Sequence, residues 1–463
     1  MSTIADIFDT DSTIAAISTP PGIGGIAVIR ISGSKAIETA DRIWKGKSLR
    51  QCNSHTAHLG IVLDTDGQPL DQAVATVYKA PRSFTGQDTV EFAVHGSKYI
   101  QREILASLTK AGARLALPGE FTRRAFTSGR LQLTQAEAIA DIIASDSRAA
   151  HRLAMTQLRG NFADTIGRLR DKLINLVSLL ELELDFSEED VTFADRTQLR
   201  ENAIEILEHV NRLLSTFRTG NAIKNGIPVA IVGPTNAGKS SLLNALVDHD
   251  RAIVSDIHGT TRDTIEETAE IGDYLFRFID TAGLRDTDDV VENLGIERTR
   301  RAIDNAHIIL CLIDASNPQA GLDYACTVTQ TLQPHQTPII IFNKTDIAEP
   351  NNKEHISISA KTHHGIDKLR QKLTQIIDLQ RRDDSTGAET ADDIMVTNRR
   401  HADALQRAAQ AIRAMIDALD AQISTDLVAQ DARAVLDTLA ELTGQITTTD
   451  ILTTIFSRFC IGK

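Results

Sequence analysis

The spacing of apolar positions changes character along the chain. Short runs rich in β-branched residues at 25–31, 74–78 and 90–94 read as strands, and 99–111 carries a helical pattern, so residues 1–118 predict an α+β domain. From 119 to 218 the period becomes that of long amphipathic helices. Apolar side chains recur there at Ile166, Leu169, Leu173, Val177, Leu180 and Leu184, three and four apart. Residues 219–383 return to buried-type strands alternating with helices. A polar stretch over 380–393 reads as a linker, and helical periodicity resumes at Asn398. The simplest architecture is a multidomain α/β protein. An N-terminal α+β domain (1–118) would precede a helical domain in two pieces (119–218 and 384–463), with an α/β domain (219–383) inserted between them.

The inserted stretch carries the clearest chemistry. A buried-type run, Val229 to Val232, leads into Gly233-Pro-Thr-Asn-Ala-Gly-Lys-Ser240, and a helix pattern with Leu242, Leu243 and Leu246 follows. Strand, glycine loop and helix start are the context a phosphate-cradling loop requires. Its backbone N–H groups turn onto a triphosphate and the helix N-terminus adds partial positive charge. Lys239 would reach the β- and γ-phosphates and the Ser240 hydroxyl would hold Mg²⁺. Three later segments narrow the nucleotide. Asp280-Thr-Ala-Gly283 after a strand pattern suits a carboxylate near Mg²⁺ and an N–H near the γ-phosphate. Asn343-Lys-Thr-Asp346 after an apolar run offers a carboxylate to guanine N1–H and its 2-amino group. Adenine has neither donor there, so an unpaired carboxylate would penalise ATP. Ser359-Ala-Lys361 resembles the loop that contacts guanine O6. The four in order, each at a strand end, predict a GTPase domain.

One part of the usual hydrolytic set is missing. The position that often carries a water-orienting Gln, two residues after Gly283, is Arg285. An amide oxygen at Asn236, with carbonyls from the stretch 255–263, could hold a monovalent cation where an arginine finger would otherwise sit. Thr261 is the candidate switch threonine for Mg²⁺. Glu292 could position water; its other reading is a solvated carboxylate at a helix start.

The chain resembles the tRNA-modification GTPases of the MnmE (TrmE) family. The resemblance rests on Thr19-Pro-Pro-Gly-Ile-Gly-Gly-Ile-Ala-Val-Ile-Arg-Ile-Ser-Gly33, Arg82-Ser-Phe-Thr-Gly-Gln-Asp88, Pro118-Gly-Glu-Phe-Thr122 and Leu133-Thr-Gln-Ala-Glu-Ala-Ile-Ala-Asp141. The phosphate loop, Gly259-Thr-Thr-Arg-Asp263 and Phe459-Cys-Ile-Gly-Lys463 complete it. It implies a K⁺-stimulated GTPase activated by dimerisation of its GTPase domains, with K⁺ held by Asn236, Ser255, Ile257 and Thr260. Glu292 becomes the water-orienting catalytic residue, which accounts for the missing Gln. The nucleotide contacts it implies are Asn236, Ala237, Gly238, Lys239, Ser240 and Ser241; Ser255, Asp256, Ile257, His258, Gly259, Thr260 and Thr261; Asp280, Thr281, Ala282 and Gly283; Asn343, Lys344 and Asp346; and Ser359, Ala360 and Lys361. Mg²⁺ falls to Ser240 and Thr261. The resemblance further implies a homodimer, an FAD-binding MnmG-type partner, and a carboxymethylaminomethyl or aminomethyl group built on C5 of the wobble uridine of tRNA. The one-carbon unit would come from 5,10-methylene- or 5-formyl-tetrahydrofolate, with folate contacts at Arg30, Glu91, Arg130 and Lys463. Arg130 stands where the family often has Lys, which keeps the charge but not the point-like ammonium. Ile23 occupies a position where some members carry a charged residue.

Composition adds bounds. The 463 residues suggest about three domains at ~150 each. With aromatics at only 4%, aliphatic packing should dominate. No run of 18 apolar residues and no basic leader appears, and Cys52, Cys311, Cys326 and Cys460 form neither a metal pattern nor a disulfide framework, so a cytoplasmic protein without a membrane span is expected. Cys311 lies in an apolar run and reads as core. Cys460 reads either as a mobile or packed small residue or, by the resemblance, as a functional thiol near Lys463. A net charge of −13 fits poorly with bulk adhesion to nucleic acid. Arg123, Arg124 and Arg130, with Arg148 and Arg152, could form a local basic patch or a solvated helix face. Tight tRNA binding is therefore expected to need the partner. The competing reading is a regulatory or ribosome-assembly switch GTPase without modification chemistry.

Overall fold

The computed structural model describes residues 11–185, 196–247, 266–279, 292–350, 355–384, 394–445, 449–457, 459 and 462 of the chain. Strands β1 (Ile14–Ile17) and β2 (Gly24–Ser32) lead to α1 (Ala36–Arg42), β3 (Trp44–Lys45), β4 (Thr56–Leu63), β5 (Pro69–Tyr78) and β6 (Thr89–Gly96), then α2 (Lys98–Lys110) and β7 (Arg114–Leu115). Helices α3 (Glu120–Thr127), α4 (Leu133–Ile143), α5 (Arg148–Leu158), α6 (Asn161–Asp185), α7 (Arg196–Ser215) and α8 (Phe217–Asn225) follow. The next stretch alternates: β8 (Ile227–Val232), α9 (Lys239–Val247), β9 (Glu267–Ile271), β10 (Tyr274–Phe278), α10 (Glu292–Asn305), β11 (Ile308–Asp314), α11 (Pro318–Thr331) and β12 (Thr337–Asn343). After β13 (Ile356–Ser357) and α12 (Ile366–Asp384) come α13 (Arg399–Asp420), α14 (Thr425–Thr443) and α15 (Thr449–Phe456). Two compact units result, one of residues 1–140, 157–170 and 439–463, the other of 141–156 and 171–438.

The first unit is built on a seven-stranded sheet in the order β3-β4-β5-β6-β2-β1-β7, antiparallel except where β7 joins β1. Alternation sends Ile29, Ile31, Val90, Phe92, Ala75 and Val77 into a core shared with Ile104 and Leu108 of α2. Trp44 stacks on Phe92 with ring centroids 5.6 Å apart, and Gly60 lets it lie flat, because a Cβ there would run into the indole. Phe456 and Phe459 close a second cluster with Leu133, Ala136 and Leu452.

A buried charged network anchors α3. Glu120, 1% exposed, accepts from Arg114 at 2.6 and 2.8 Å, from Arg124 at 2.9 Å and from the Leu117 N–H at 2.9 Å. Arg124, 2% exposed, also donates to the Ser12 carbonyl and to Gln87. Arg123 and Arg124 are thus neither a basic patch nor a solvated helix face. Both are drawn inward, since a buried carboxylate requires paired donors.

In the second unit a six-stranded sheet runs β13-β12-β11-β8-β10-β9, parallel except for β9. Apolar side chains cover both of its faces, as a parallel sheet demands. Ala203, Ile206 and Val210 of α7 are buried alongside Leu405, Ala409 and Ile412 of α13. The chain enters and leaves the sheet domain at one clamp: Thr216 Oγ1 accepts from the Val396 N–H at 2.9 Å and Asn221 donates to the Thr397 carbonyl at 2.9 Å. The expected multidomain α/β architecture, with its insertion into a helical region, is therefore present. The polar stretch from 380 is not all linker, because α12 continues through Asp384. Gln380 bonds His307 at 2.7 Å and Arg381 reaches the Tyr274 hydroxyl at 3.3 Å, so these polar side chains anchor the helix to the sheet.

Burial alone would raise the Glu120 pKa, but the Arg114 and Leu117 hydrogen bonds and the two guanidinium charges outweigh it and hold it low. Its contribution is therefore complete above the usual glutamate range and lost as pH falls through the lowered value. Glu120→Gln should cost the first unit about 3 kcal/mol at neutral pH, a deficit that shrinks below about pH 4. Trp44, the chain's single tryptophan and buried in this unit, reports the unfolding by its fluorescence.

Candidate nucleotide site

Strand β8 delivers the phosphate loop at the C-terminal edge of the sheet, where α/β folds bind ligands. A Cβ at Gly233 would strike the Leu312 carbonyl, and one at Gly238, where φ is 93°, would strike Asn343 Nδ2. Both positions therefore accept only glycine. Asn236, exposed at the mouth of the loop, takes φ 64°, a left-handed conformation that Asn tolerates better than most residues. Lys239 opens α9 and donates 2.9 Å bonds to the carbonyls of Gly233 and Pro234. Burial pushes its pKa down; a phosphate placed in the loop would push it back up. Ser240 and Ser241 occupy the first turn of α9. Glycine-opened backbone, a helix N-terminus and an inward lysine fit a polyphosphate.

Three loops meet at the buried Asn343 side chain. Nδ2 donates to the Ala237 carbonyl of the phosphate loop at 2.9 Å, and Oδ1 accepts from the Ala360 N–H at 3.0 Å. Asp346 accepts 2.7 Å from the Ser359 hydroxyl, which holds its carboxyl below the usual carboxylate range. It is exposed and ionised at neutral pH, as an acceptor for two guanine N–H groups must be. Lys344, at φ 65°, donates 2.6 Å to Asp314 Oδ2. Lys361 is exposed beside Ala360. The structure thus gathers Asn236 to Ser241 with Asn343, Lys344, Asp346, Ser359, Ala360 and Lys361 at one sheet edge. Ser255, Asp256, Ile257, His258, Gly259, Thr260 and Thr261 lie outside the described residues, as do Asp280, Thr281, Ala282 and Gly283. Glu292 stands at the start of α10, and its side chain is outside them too.

In the first unit Arg30 and Glu91 face each other across β2 and β6, joined by a 2.7 Å bond. The Arg30 guanidinium lies 5.4 Å from the Phe84 ring and 5.6 Å from the Phe121 ring. Burial, and then the Glu91 charge, raise the Tyr78 pKa beside them. Arg130 is exposed after α3, its stem against the 82–88 loop at Gly86. A partly buried ion pair with two aromatic rings beside its guanidinium fits a flat, hydrogen-bonding heterocycle. Cys460 and Lys463 lie outside the described residues, but Phe459 and Gly462 do not. Phe459 packs on Phe456, and Gly462 rests against Ile17 while accepting 3.0 Å from the Ser18 hydroxyl.

Sequence reasoning overlooked Asp314, which bonds Lys344, and Phe84 and Phe121, which lie against Arg30. Asp314 had a signal, an Asp-x-Ser turn closing an apolar strand. The rings lay inside noticed motifs, but only the fold brings them to Arg30. Cys311, in β11, is buried, and burial pushes its thiol up to about 11, as a core residue.

A family model described as the MnmE helical domain matches residues 133–460, and one described as the GTP-binding protein TrmE N-terminus matches 13–130. A tRNA modification GTPase MnmE of Parabacteroides distasonis is 46% identical over 467 residues, covering 98% of this chain and 100% of its own length. One of the same name from Cytophaga hutchinsonii is 45% identical over 471 residues and covers both chains completely. A solved G domain, that of the T. maritima FeoB iron transporter, aligns with 32% of this chain and 97% of its own at 22% identity and TM-score 0.25. Two family models that between them match residues 13–130 and 133–460, and relatives alike along nearly its whole length, show that the chain belongs to the MnmE (TrmE) family.

Proposed function

We propose that this chain hydrolyses GTP as part of tRNA modification, the activity its relatives are named for. The observation that carries the guanine preference is the ionised Asp346 carboxylate, set by Ser359 and tied through Asn343 to the phosphate loop. Mg²⁺ is held by Ser240 and Thr261. K⁺ is held by Asn236, Ser255, Ile257 and Thr260, and Glu292 orients the attacking water. Supporting the cation reading are the open left-handed Asn236 and Arg285 in place of a Gln.

The finer reading is modification of the wobble uridine at C5 by a homodimer working with an FAD-binding MnmG-type protein, in the cytoplasm. Its domains are 1–118, 119–218 with 384–463, and 219–383. A tetrahydrofolate sits at Arg30, Glu91, Arg130 and Lys463, and Cys460 serves the transfer. The aromatic-flanked Arg30–Glu91 pair and the return of Gly462 to β1 support this placement. No helix among the described residues is long and apolar enough to cross a membrane. With a net charge of −13, and with Arg123 and Arg124 buried, the positive surface for tRNA comes chiefly from the partner.

Three measurements test this reading. Asp346→Asn exchanges two acceptors for an amide that can donate to the C2 carbonyl of xanthine. It should lower kcat/KM for GTP by roughly a hundredfold or more and favour xanthosine triphosphate; an unchanged GTP preference would remove Asp346 from the base site. At equal ionic strength K⁺ should accelerate hydrolysis well beyond Na⁺, and equal rates would refute the cation site. Finally, nucleoside mass spectrometry of tRNA from cells lacking the protein should show the C5 modification lost. Wild type should restore it and Cys460→Ser should not. An unaltered profile in the deletion would point instead to a switch GTPase.

A further inference from the structure

We propose that Asp314 is a positioning residue of the nucleotide site, which holds the Lys344 side chain ready for bound guanine nucleotide. This rests on the guanine-nucleotide reading above and adds a residue to it. Asp314 ends β11 directly opposite Asn343 of β12, and the Ala315 N–H donates 2.9 Å to the Asn343 carbonyl. The two strand ends are thereby zipped, and Asp314 and Lys344 lie side by side.

The carboxylate is itself held on both oxygens. Oδ1 accepts from the Ser316 N–H at 2.9 Å and from the Ser316 hydroxyl at 2.6 Å, and Oδ2 accepts from Lys344 Nζ at 2.6 Å. Burial would raise the Asp314 pKa, but the Lys344 and Ser316 hydrogen bonds outweigh it and keep the group ionised. Lys344 combines a left-handed backbone with a long, rotamer-rich side chain, so nucleotide binding to an unrestrained lysine would have to order it. The ion pair orders it beforehand. The side chains remain 30% and 22% exposed, a setting in which an ion pair adds little to fold stability. Its position next to Asn343, which is bonded to the phosphate loop, places its effect in binding instead.

The test uses the full chain with Asp314→Asn, Ser316→Ala, Lys344→Ala and the Asp314→Asn/Lys344→Ala double variant. Dissociation of a fluorescent GDP analogue, steady-state GTP hydrolysis and thermal unfolding are measured for each. Asp314→Asn should speed GDP release and raise KM by roughly three- to tenfold, leaving kcat and the unfolding temperature close to wild type. Ser316→Ala, which keeps the charge but frees Oδ1, should show a smaller change in the same direction. In the Lys344→Ala background Asp314→Asn should add nothing further. Unchanged GDP release in Asp314→Asn overturns the role. So does an undiminished effect without Lys344, or a loss of kcat that follows the unfolding temperature. A wild-type chain that binds no GDP would instead overturn the nucleotide reading, and this inference with it.

Discussion

The side chain of Asn343 is the constraint on which the nucleotide site depends. One amide, buried at the end of β12, spends its donor on the phosphate loop and its acceptor on the loop after β13. Each partner is a backbone group with no ladder to satisfy it at a strand end, so losing the amide would orphan both in a buried place. The same amide nitrogen occupies the volume that a side chain at Gly238 would need. The glycine of one motif and the asparagine of another are therefore a single steric and hydrogen-bonding unit. Spacing rules that treat the motifs separately do not express this.

That dependence explains what could be read in the amino acids alone. The phosphate loop and the segments at 343–346 and 359–361 announce themselves because nucleotide chemistry needs particular residue types at strand ends, and strands and helices with strong periodicity flank them. The insertion architecture was legible for the same reason, since the period of the apolar pattern changes where the chain enters and leaves the sheet. Arg123 and Arg124 were not legible. Charge on a short helix ordinarily signals solvent, and only the fold brings Arg114 to Glu120, and Ser12 and Gln87 to Arg124, to make burial tolerable. Gln380 and Arg381 misled in the same way, because a polar stretch looks like a linker until His307 and Tyr274 arrive opposite it.

Both units thus place polar side chains at positions where aliphatic ones are the rule, and in both they hold elements in place. In the first, Glu120 ties α3 to Arg114 of the preceding strand, and its partner Arg124 ties the helix to Gln87 of the loop that carries Phe84. In the second, polar anchors on α12 and the clamp at Thr216 and Asn221 hold the sheet domain at its two points of attachment. Neither set adds much to a hydrophobic core.

The contact between Ser18 and Gly462 spans 444 positions, and the first unit draws on residues 1–140, 157–170 and 439–463. During synthesis, its sheet emerges long before the helix and tail that complete it. The intervening second unit occupies the ribosome for roughly fifteen to sixty seconds at ordinary elongation rates. Throughout that interval the cluster around Phe126 and Leu133 lacks Phe456 and Phe459, and the nascent sheet domain carries an uncovered apolar surface. The sheet domain around the phosphate loop has no such delay, since its strands lie close together in the chain and the α5 residues Ala149 and Leu153 that join its core precede them. The order of maturation is thus set by topology: the nucleotide-binding part can be finished while the N-terminal part still waits for its last segment.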